Sequence, residues 1–361
     1  MTDANPPRAP GGRSRVAIVG CGAVVQLYYV PALLALEAAG RVEVTALFDP
    51  DAAMRGRVRR SFPGARELQD FGDLLQAPAD LVVLASPPAR HGAQGVELLR
   101  RGRAVLCEKP LATTTADAQS MIDAAQAASA TLAAGMLRRF FPAAQAIRDL
   151  VADGSLGEIV AVEVQEGNAF RWPVASAAYF GREAGGGGVL MDIGVHALDL
   201  LTWWLGEPGE IAYEDDAMGG IEANCRMRCR FAGGAAGQLR LSRDCELSNR
   251  YVLRGTRGSV SWTVNETDRL ALCLGGARHV LNAQLEVARQ PAAHFEQSFI
   301  GQIVNVLAAT RGEEPLVVPA ADALASLRVI EHCYAGRSLM PMGWLDAREA
   351  ARAAQLNAGA E

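Results

Sequence analysis

A chain of 361 residues with 50% hydrophobic and 21% charged side chains is long enough for two domains with separate cores, and its composition excludes a fibrous or disordered protein. A formal net charge of -5, with arginines interleaved among acids rather than blocked, argues against nucleic acid as a partner. Seven cysteines, an odd number scattered along a large chain, read as reduced thiols of a cytoplasmic protein rather than a disulfide framework.

Met1 to Ser14 is rich in Pro, Gly and Ala without an apolar period and is predicted to be a disordered tail. The stretch Val16 to Leu36 carries no charge, but Gly20, Gly22, Gln26, Tyr28, Tyr29 and Pro31 interrupt it too often for a membrane span or an export signal. Those breaks suit a strand, a turn and a helix: Val16 to Val19 is a buried-strand run, Gly20-Cys21-Gly22 the turn, and Ala23 to Ala39 a helix containing Pro31. Val42 to Phe48 alternates as a second strand and ends at Asp49. Strands at Leu81 to Ala85, Ala104 to Cys107 and Leu132 to Gly135 then alternate with helices at Ala89 to Arg101 and Thr115 to Ser129. Such alternation predicts a Rossmann-type, doubly wound parallel α/β sheet over residues 15–138.

After Arg138 the texture changes. A helix from Pro142 to Ala152 leads to a long alternating strand at Ile159 to Gln165, and a central helix, Val189 to Leu205, follows a glycine run. Short strands at Cys225 to Phe231, Gly237 to Arg243, Tyr251 to Arg254, Ser259 to Val264 and Leu270 to Leu274 come next. They predict an α+β domain over 139–345 with an open, largely antiparallel sheet whose uncovered face is apolar. Helical segments at His294 to Arg311 and Ala321 to Tyr334 follow, part of 320–340 packing on the first domain, and 346–361 is expected to be a fraying tail.

Three groups of residues carry chemistry. Gly20-Cys21-Gly22-Ala23-Val24-Val25 holds two of the three glycines of a dinucleotide fingerprint, the first for the turn and the second for close approach of the backbone to pyrophosphate. Val25 stands in place of the third. Asp49, ending the second strand, suits the adenosine ribose hydroxyls and would repel a 2′-phosphate, which favours NAD; Arg55, Arg57, Arg59 and Arg60 keep NADP open. Its plainer reading is a turn cap. Ser86, Pro87 and His91, past the next apolar strand, line the crevice expected at the carboxyl ends of the parallel strands.

The second group is Glu108-Lys109-Pro110. Lys109 is the only lysine among 35 basic residues. In a sequence that otherwise uses arginine throughout, a retained ammonium points to chemistry that arginine cannot perform, because a lysine can lose its proton when desolvated and fits as a point charge beside a reacting oxygen. The third group is Gly185 to Gly188 followed by Asp192 and His196, four residues apart and hence on one face near the start of a helix, as proton transfer and the fixing of hydroxyls require. A structural histidine is the plain alternative. A metal site lacks a third ligand.

Together, the glycine turn, Glu108-Lys109-Pro110 after a strand, and Gly186-Gly187-Gly188 with Asp192-x-x-x-His196 resemble the glucose-fructose oxidoreductase, inositol dehydrogenase and MocA family from about Arg15 to Leu345. The resemblance implies an NAD(P)-dependent oxidoreductase acting on a ring hydroxyl or ketone of a sugar, cyclitol or related compound, in a homodimer or homotetramer without a metal. Carried over by residue, Lys109, Asp192 and His196 are catalytic, with Lys109 at the nicotinamide and the substrate. Arg138, Arg139, Trp172 and Tyr179 are expected near the substrate side. Two rival readings are an NAD-dependent glycoside-cleaving enzyme with transient oxidation, and a non-catalytic NAD-binding regulator that would have no use for the Asp192 and His196 pair.

Overall fold

The computed structural model describes residues 12–173, 181–264, 266–283, 286–287, 290–291 and 295–359. It divides into two compact units. One runs through Phe140 and resumes at Glu286–Leu324; the other comprises Phe141–Trp172, most of the stretch to Leu285, and Ala325 onward.

In the first unit six parallel strands, β1 (Ser14–Val19), β2 (Val42–Phe48), β3 (Arg66–Leu68), β4 (Leu81–Leu84), β5 (Ala104–Cys107) and β6 (Leu132–Ala134), lie in the order β3-β2-β1-β4-β5-β6. Every residue of β4 and β5 is buried, as continuous apolar runs in a sheet covered on both faces must be. The helices are α1 (Val30–Ala38), α2 (Ala52–Arg59), α3 (Phe71–Gln76), α4 (Pro88–Leu99) and α5 (Thr115–Ala127). Asp51, Asp70 and Thr114 cap α2, α3 and α5 by accepting backbone N–H donors. The helix expected over Ala23 to Ala39 is present from Ala23 to Ala38, with a π-turn inside it at Val25–Tyr29. Pro31 follows closely on this π-turn, inside the helical run, where its missing N–H takes one donor from the regular ladder.

The second unit begins with α6 (Pro142–Ala152) and β7 (Ile159–Gly167). The short α7 (Arg182–Gly185) and a π-turn at Leu190–Gly194 lead into α8 (Val195–Leu205). By length and composition the run Arg182–Leu205 could cross a membrane; 67% of its apolar window is buried inside the protein, as in a core helix. β8 (Ala212–Asp215), β9 (Asn224–Arg230), β10 (Ala236–Ser242), β11 (Arg250–Gly255), β12 (Gly258–Thr263), β13 (Arg269–Leu274) and β14 (Ala277–Asn282) follow. The sheet is antiparallel at most pairings, with β10 parallel to β7 at its centre. Inward residues alternate with outward ones: Cys225, Met227 and Cys229 of β9 are buried while Arg226, Arg228 and Arg230 are exposed. Tyr251 and Trp262, ring centroids 5.1 Å apart, anchor the core, with Trp204 of α8 edge-on to Tyr251. The uncovered face was expected to be apolar. It carries the exposed arginines of β9 together with Arg240, Arg250 and Arg254, among small and polar residues.

A two-residue pairing of β15 (Glu286–Val287) with β16 (Gln290–Pro291) and then α9 (Phe295–Thr310) belong to the first unit. α10 (Ala320–Ala335) and β17 (Ser338–Leu339), which adds a parallel edge strand to β8, precede α11 (Ala347–Ala358). The expected C-terminal tail is thus a helix. Asp346 and Glu349 form a capping box at its start, and buried Asn357 accepts the Met218 N–H at 2.8 Å.

Candidate active site

The strand order of the first sheet reverses between β1 and β4, so the loops after these strands frame a crevice at their carboxyl ends. Gly20 has φ +88°, and a Cβ there would lie 2.6 Å from the Ser86 nitrogen and inside the Ala85 carbonyl. No protein atom lies within 4 Å of a Cβ built on Gly22. The first glycine is therefore demanded by the protein itself, and the second leaves its surface clear of other protein atoms. Ala23 and Val24 follow it, half-buried, at the start of the helical run. Asp49 accepts the Cys21 N–H at 2.8 Å and the Asp51 N–H at 2.8 Å, which aims its half-buried carboxylate beside that loop. Burial, with the negative charge of Asp49 as the next cause, pushes the Cys21 thiol up to about 12. Arg55 is buried, donates to the Asp49 carbonyl and lies 4.0 Å from Glu67; Arg59 donates to the Phe62 carbonyl. Two of the four nearby arginines are thus already engaged.

His91, expected to line the crevice, and Glu108 of the second group are turned into the protein. His91 is 1% exposed, with Nδ1 2.9 Å from the Pro110 carbonyl and Nε2 2.7 Å from the Ser86 carbonyl, so it ties the loop after β4 to the loop after β5. Its desolvation holds the imidazole pKa below the ordinary value. The Ser86 hydroxyl meets the Gln94 amide oxygen at 2.6 Å, and Pro87 precedes α4. Glu108 accepts the Tyr29 hydroxyl at 2.8 Å and the Lys109 N–H at 3.1 Å, while Gln302 of α9 donates to the Tyr29 oxygen at 2.9 Å. Burial raises the Glu108 carboxyl above the usual range. Lys109 itself is half-buried and joined to Pro110 by a cis peptide bond. Arg139, expected to hold substrate, is 1% exposed and paired with Asp322 at 2.6 Å within the same unit, an arrangement suited to packing rather than to reaching a ligand.

In the second unit Asp192 lies in the π-turn and His196 in the first turn of α8, both half-buried. In a regular α-helix residues four apart overshoot one full turn by about 40°. The wider π-turn reduces that offset, so the break in regularity serves the alignment of this pair. Two supporting residues escaped the sequence reading. Arg243, just past β10, binds the Asp192 carboxylate at 2.7 Å and lies 5.6 Å from the centre of the Phe170 ring. Glu222, 1% exposed, accepts the N–H groups of Gly188 at 3.1 Å and Leu190 at 3.0 Å and the Tyr334 hydroxyl at 2.8 Å. The glycine run passes so close that a Cβ on Gly188 would lie 2.6 Å from the Glu222 nitrogen, and one on Gly187 2.9 Å from Tyr334 Cζ. The only sequence signal for Arg243 was its place at a strand end, and Glu222 had none. Trp172 is half-buried in this unit, Arg138 is half-buried in the first, and Tyr179 falls outside the described residues. Among the described residues no group of three or more His, Cys, Asp or Glu side chains could hold a metal ion.

A parallel sheet in this strand order, a glycine turn that leaves room for a pyrophosphate and a strand-ending aspartate beside it define a dinucleotide-binding enzyme. Residues 14–136 match the family profile described as "Oxidoreductase family, NAD-binding Rossmann fold", and residues 144–261 match the GFO/IDH/MocA C-terminal domain. The chain belongs to the GFO/IDH/MocA oxidoreductases, and its first unit is an NAD-binding Rossmann domain. It is 28% identical to the rhizopine catabolism protein MocA of Rhizobium meliloti over 327 residues, 88% of this chain and 93% of that one. It is 27% identical to trans-1,2-dihydrobenzene-1,2-diol dehydrogenase of Bos taurus over 194 residues, 52% of this chain and 56% of that one. Among solved structures, an aldose-aldose oxidoreductase from Caulobacter crescentus, complexed with glycerol, superimposes with a TM-score of 0.77 at 25% identity, covering 90% of this chain and 97% of that one.

Proposed function

We propose that this oxidoreductase interconverts a ring hydroxyl and a ketone on a sugar, cyclitol or sugar derivative, with Lys109, Asp192 and His196 as its catalytic residues. The observation that carries the reading is Lys109: the sole lysine, half-buried directly after β5, on a backbone held by buried Glu108. Bound NAD supplies the hydride acceptor. His196 takes the hydroxyl proton at the carbon being oxidised and returns it in the reverse direction. Lys109 stabilises the negative charge that develops on the same oxygen. Asp192, paired with Arg243, accepts a hydrogen bond from a substrate hydroxyl.

NAD is preferred to NADP in this reading. Asp49 opposes a 2′-phosphate, and Arg55 and Arg59 are committed to backbone carbonyls. Seven free cysteines support a cytoplasmic enzyme. The exposed sheet face of the second unit is the surface through which we expect the chain to form a homodimer or homotetramer, with its arginines meeting acids of the other copy. The partnered Asp192 favours this reaction over the regulator reading, which gives that residue no task.

The test is NADH absorbance with NAD or NADP and a panel of cyclitols, aldoses, nucleotide sugars and glycosides, beside the Lys109→Ala protein. Turnover with a free or linked sugar, lost about 10²- to 10³-fold in Lys109→Ala while NADH still binds, is expected. Equal turnover in the two proteins would remove Lys109 from the mechanism. Glycoside cleavage without net NADH would favour transient oxidation.

A further inference from the structure

Arg243 pairs with the one carboxylate to which the reaction above gives a substrate contact, and neither the family resemblance nor the sequence pattern assigned it a role. It is 8% exposed as a residue, and its Nη2 lies 2.7 Å from Asp192 Oδ2. Its backbone is fixed on both sides: the Arg243 N–H donates to the Ala223 carbonyl at 2.9 Å, and the Arg243 carbonyl accepts the Phe170 N–H at 2.8 Å. The same connection brings the Phe170 ring to 5.6 Å from the guanidinium. Asp192 is the more exposed partner, with 23% side-chain exposure, and lies in a π-turn rather than a regular helix.

We propose that Arg243 is the positioning residue of the active site. It fixes one oxygen of Asp192 and so orients the carboxylate as a hydrogen-bond acceptor toward substrate. Two consequences follow. Asp192, held by a cation, acts as an acceptor, which leaves proton transfer to His196. The pair is also neutral as a whole, so at this point it suits an uncharged hydroxyl; a carboxylate or phosphate would meet the negative oxygen of Asp192 directly. The ring of Phe170 beside the guanidinium adds an apolar edge next to this polar contact, as a sugar or cyclitol with alternating C–H and O–H groups would use.

The inference rests on the oxidoreductase reading and is tested by a double-mutant cycle in the full-length enzyme. kcat and KM for the best polyol of the panel are measured for wild type, Asp192→Asn, Arg243→Met and Asp192→Asn/Arg243→Met, with NADH binding and thermal midpoint for each. A residue that acts through Asp192 loses about a hundredfold in kcat/KM when replaced. It then adds little in the double variant, because Asp192→Asn has already removed what it positions. Arg243→Lys should recover part of the loss, and guanidinium ion should partly rescue Arg243→Ala. Losses that multiply in the double variant, or an Arg243→Met enzyme as active as wild type, would overturn the proposal. So would an effect of Arg243→Met confined to thermal midpoint and NADH binding. If wild type turns over no polyol with either nucleotide, the oxidoreductase reading fails, and this proposal fails with it.

Discussion

Gly20 and Gly22 belong to one fingerprint, but replacing each by alanine should damage a different property. At Gly20 the backbone has φ +88°, which costs an L-residue roughly 1–2 kcal/mol. The new Cβ would also lie inside the Ala85 carbonyl, a backbone group that can yield only by moving the end of β4. Forcing a methyl into such a site costs about 1–3 kcal/mol. Gly20→Ala is therefore expected to lose about 2–5 kcal/mol, or roughly 4–20 °C in midpoint for a unit of this size. Gly22→Ala meets no protein atom within 4 Å and should unfold within a degree or two of wild type. If Gly22 faces the pyrophosphate as its fingerprint position implies, the methyl puts the same 1–3 kcal/mol of overpacking on the complex, weakening NADH about 5- to 150-fold. Fluorescence titration of NADH and a thermal melt on both variants separate the two effects. Unaltered NADH affinity in Gly22→Ala, or equal destabilisation of the two proteins, would refute the assignment.

Other outcomes follow from the buried groups. Burial raises the folded-state pKa of Glu108 above its unfolded value, so its contribution to stability is present below the usual carboxylate range and is lost as pH rises through the raised value. Glu108→Gln cannot ionise, and the difference in melting midpoint between variant and wild type should shift in the variant's favour with rising pH; a constant difference would contradict this. Of the seven thiols, Cys245 is exposed, whereas burial pushes Cys21 up to about 12 and Cys229 to about 11. Alkylation of the native protein at pH 8 should label Cys245 first and leave Cys21 and Cys229 intact, as peptide mapping would show.

Where the sequence was readable, the reason was periodicity. Val42 to Phe48, Ala104 to Cys107 and Pro142 to Ala152 were bounded correctly because their apolar runs are ended by charge, glycine or proline. α2 was not foreseen, since its eight residues include three arginines and Gly56, and its stability comes from the Asp51 cap and from burial of Val58 and the Arg55 stem rather than from an apolar stripe. α11 was mistaken for a tail on its alanine content alone; its amphipathic pattern and the Asp346 to Glu349 box were the signs that it would hold. Residue type and spacing marked Lys109, Asp192 and His196 as candidates. The residues that hold them come from distant strands and loops, and Arg243 and Glu222 were invisible for that reason. The arginine-rich sheet face was misjudged by weighing the inward residues of each strand and passing over the alternate ones.

The supports have a common logic in the two units. Glu108 lies next to Lys109, and Glu222 beneath the turn that carries Asp192. Each is a buried glutamate that accepts a tyrosine hydroxyl at 2.8 Å, from Tyr29 in one case and Tyr334 in the other. Each also accepts backbone N–H groups of the functional segment itself: Lys109 in the first unit, Gly188 and Leu190 in the second. A carboxylate suits this task because its two oxygens take several donors at once, which a segment leaving a regular strand or entering a helix has in excess. Burial opposes the charged form of both glutamates, and the tyrosine and backbone donors act against that penalty. Removing one tyrosine hydroxyl should therefore loosen the segment that carries Lys109 or Asp192 without touching either side chain. Tyr29→Phe is expected to affect the lysine side and Tyr334→Phe the aspartate side, so that hydride-transfer rate falls in the first and substrate KM rises in the second. Identical kinetic signatures in the two variants would show that the glutamates are general packing elements rather than separate supports for the two halves of the chemistry.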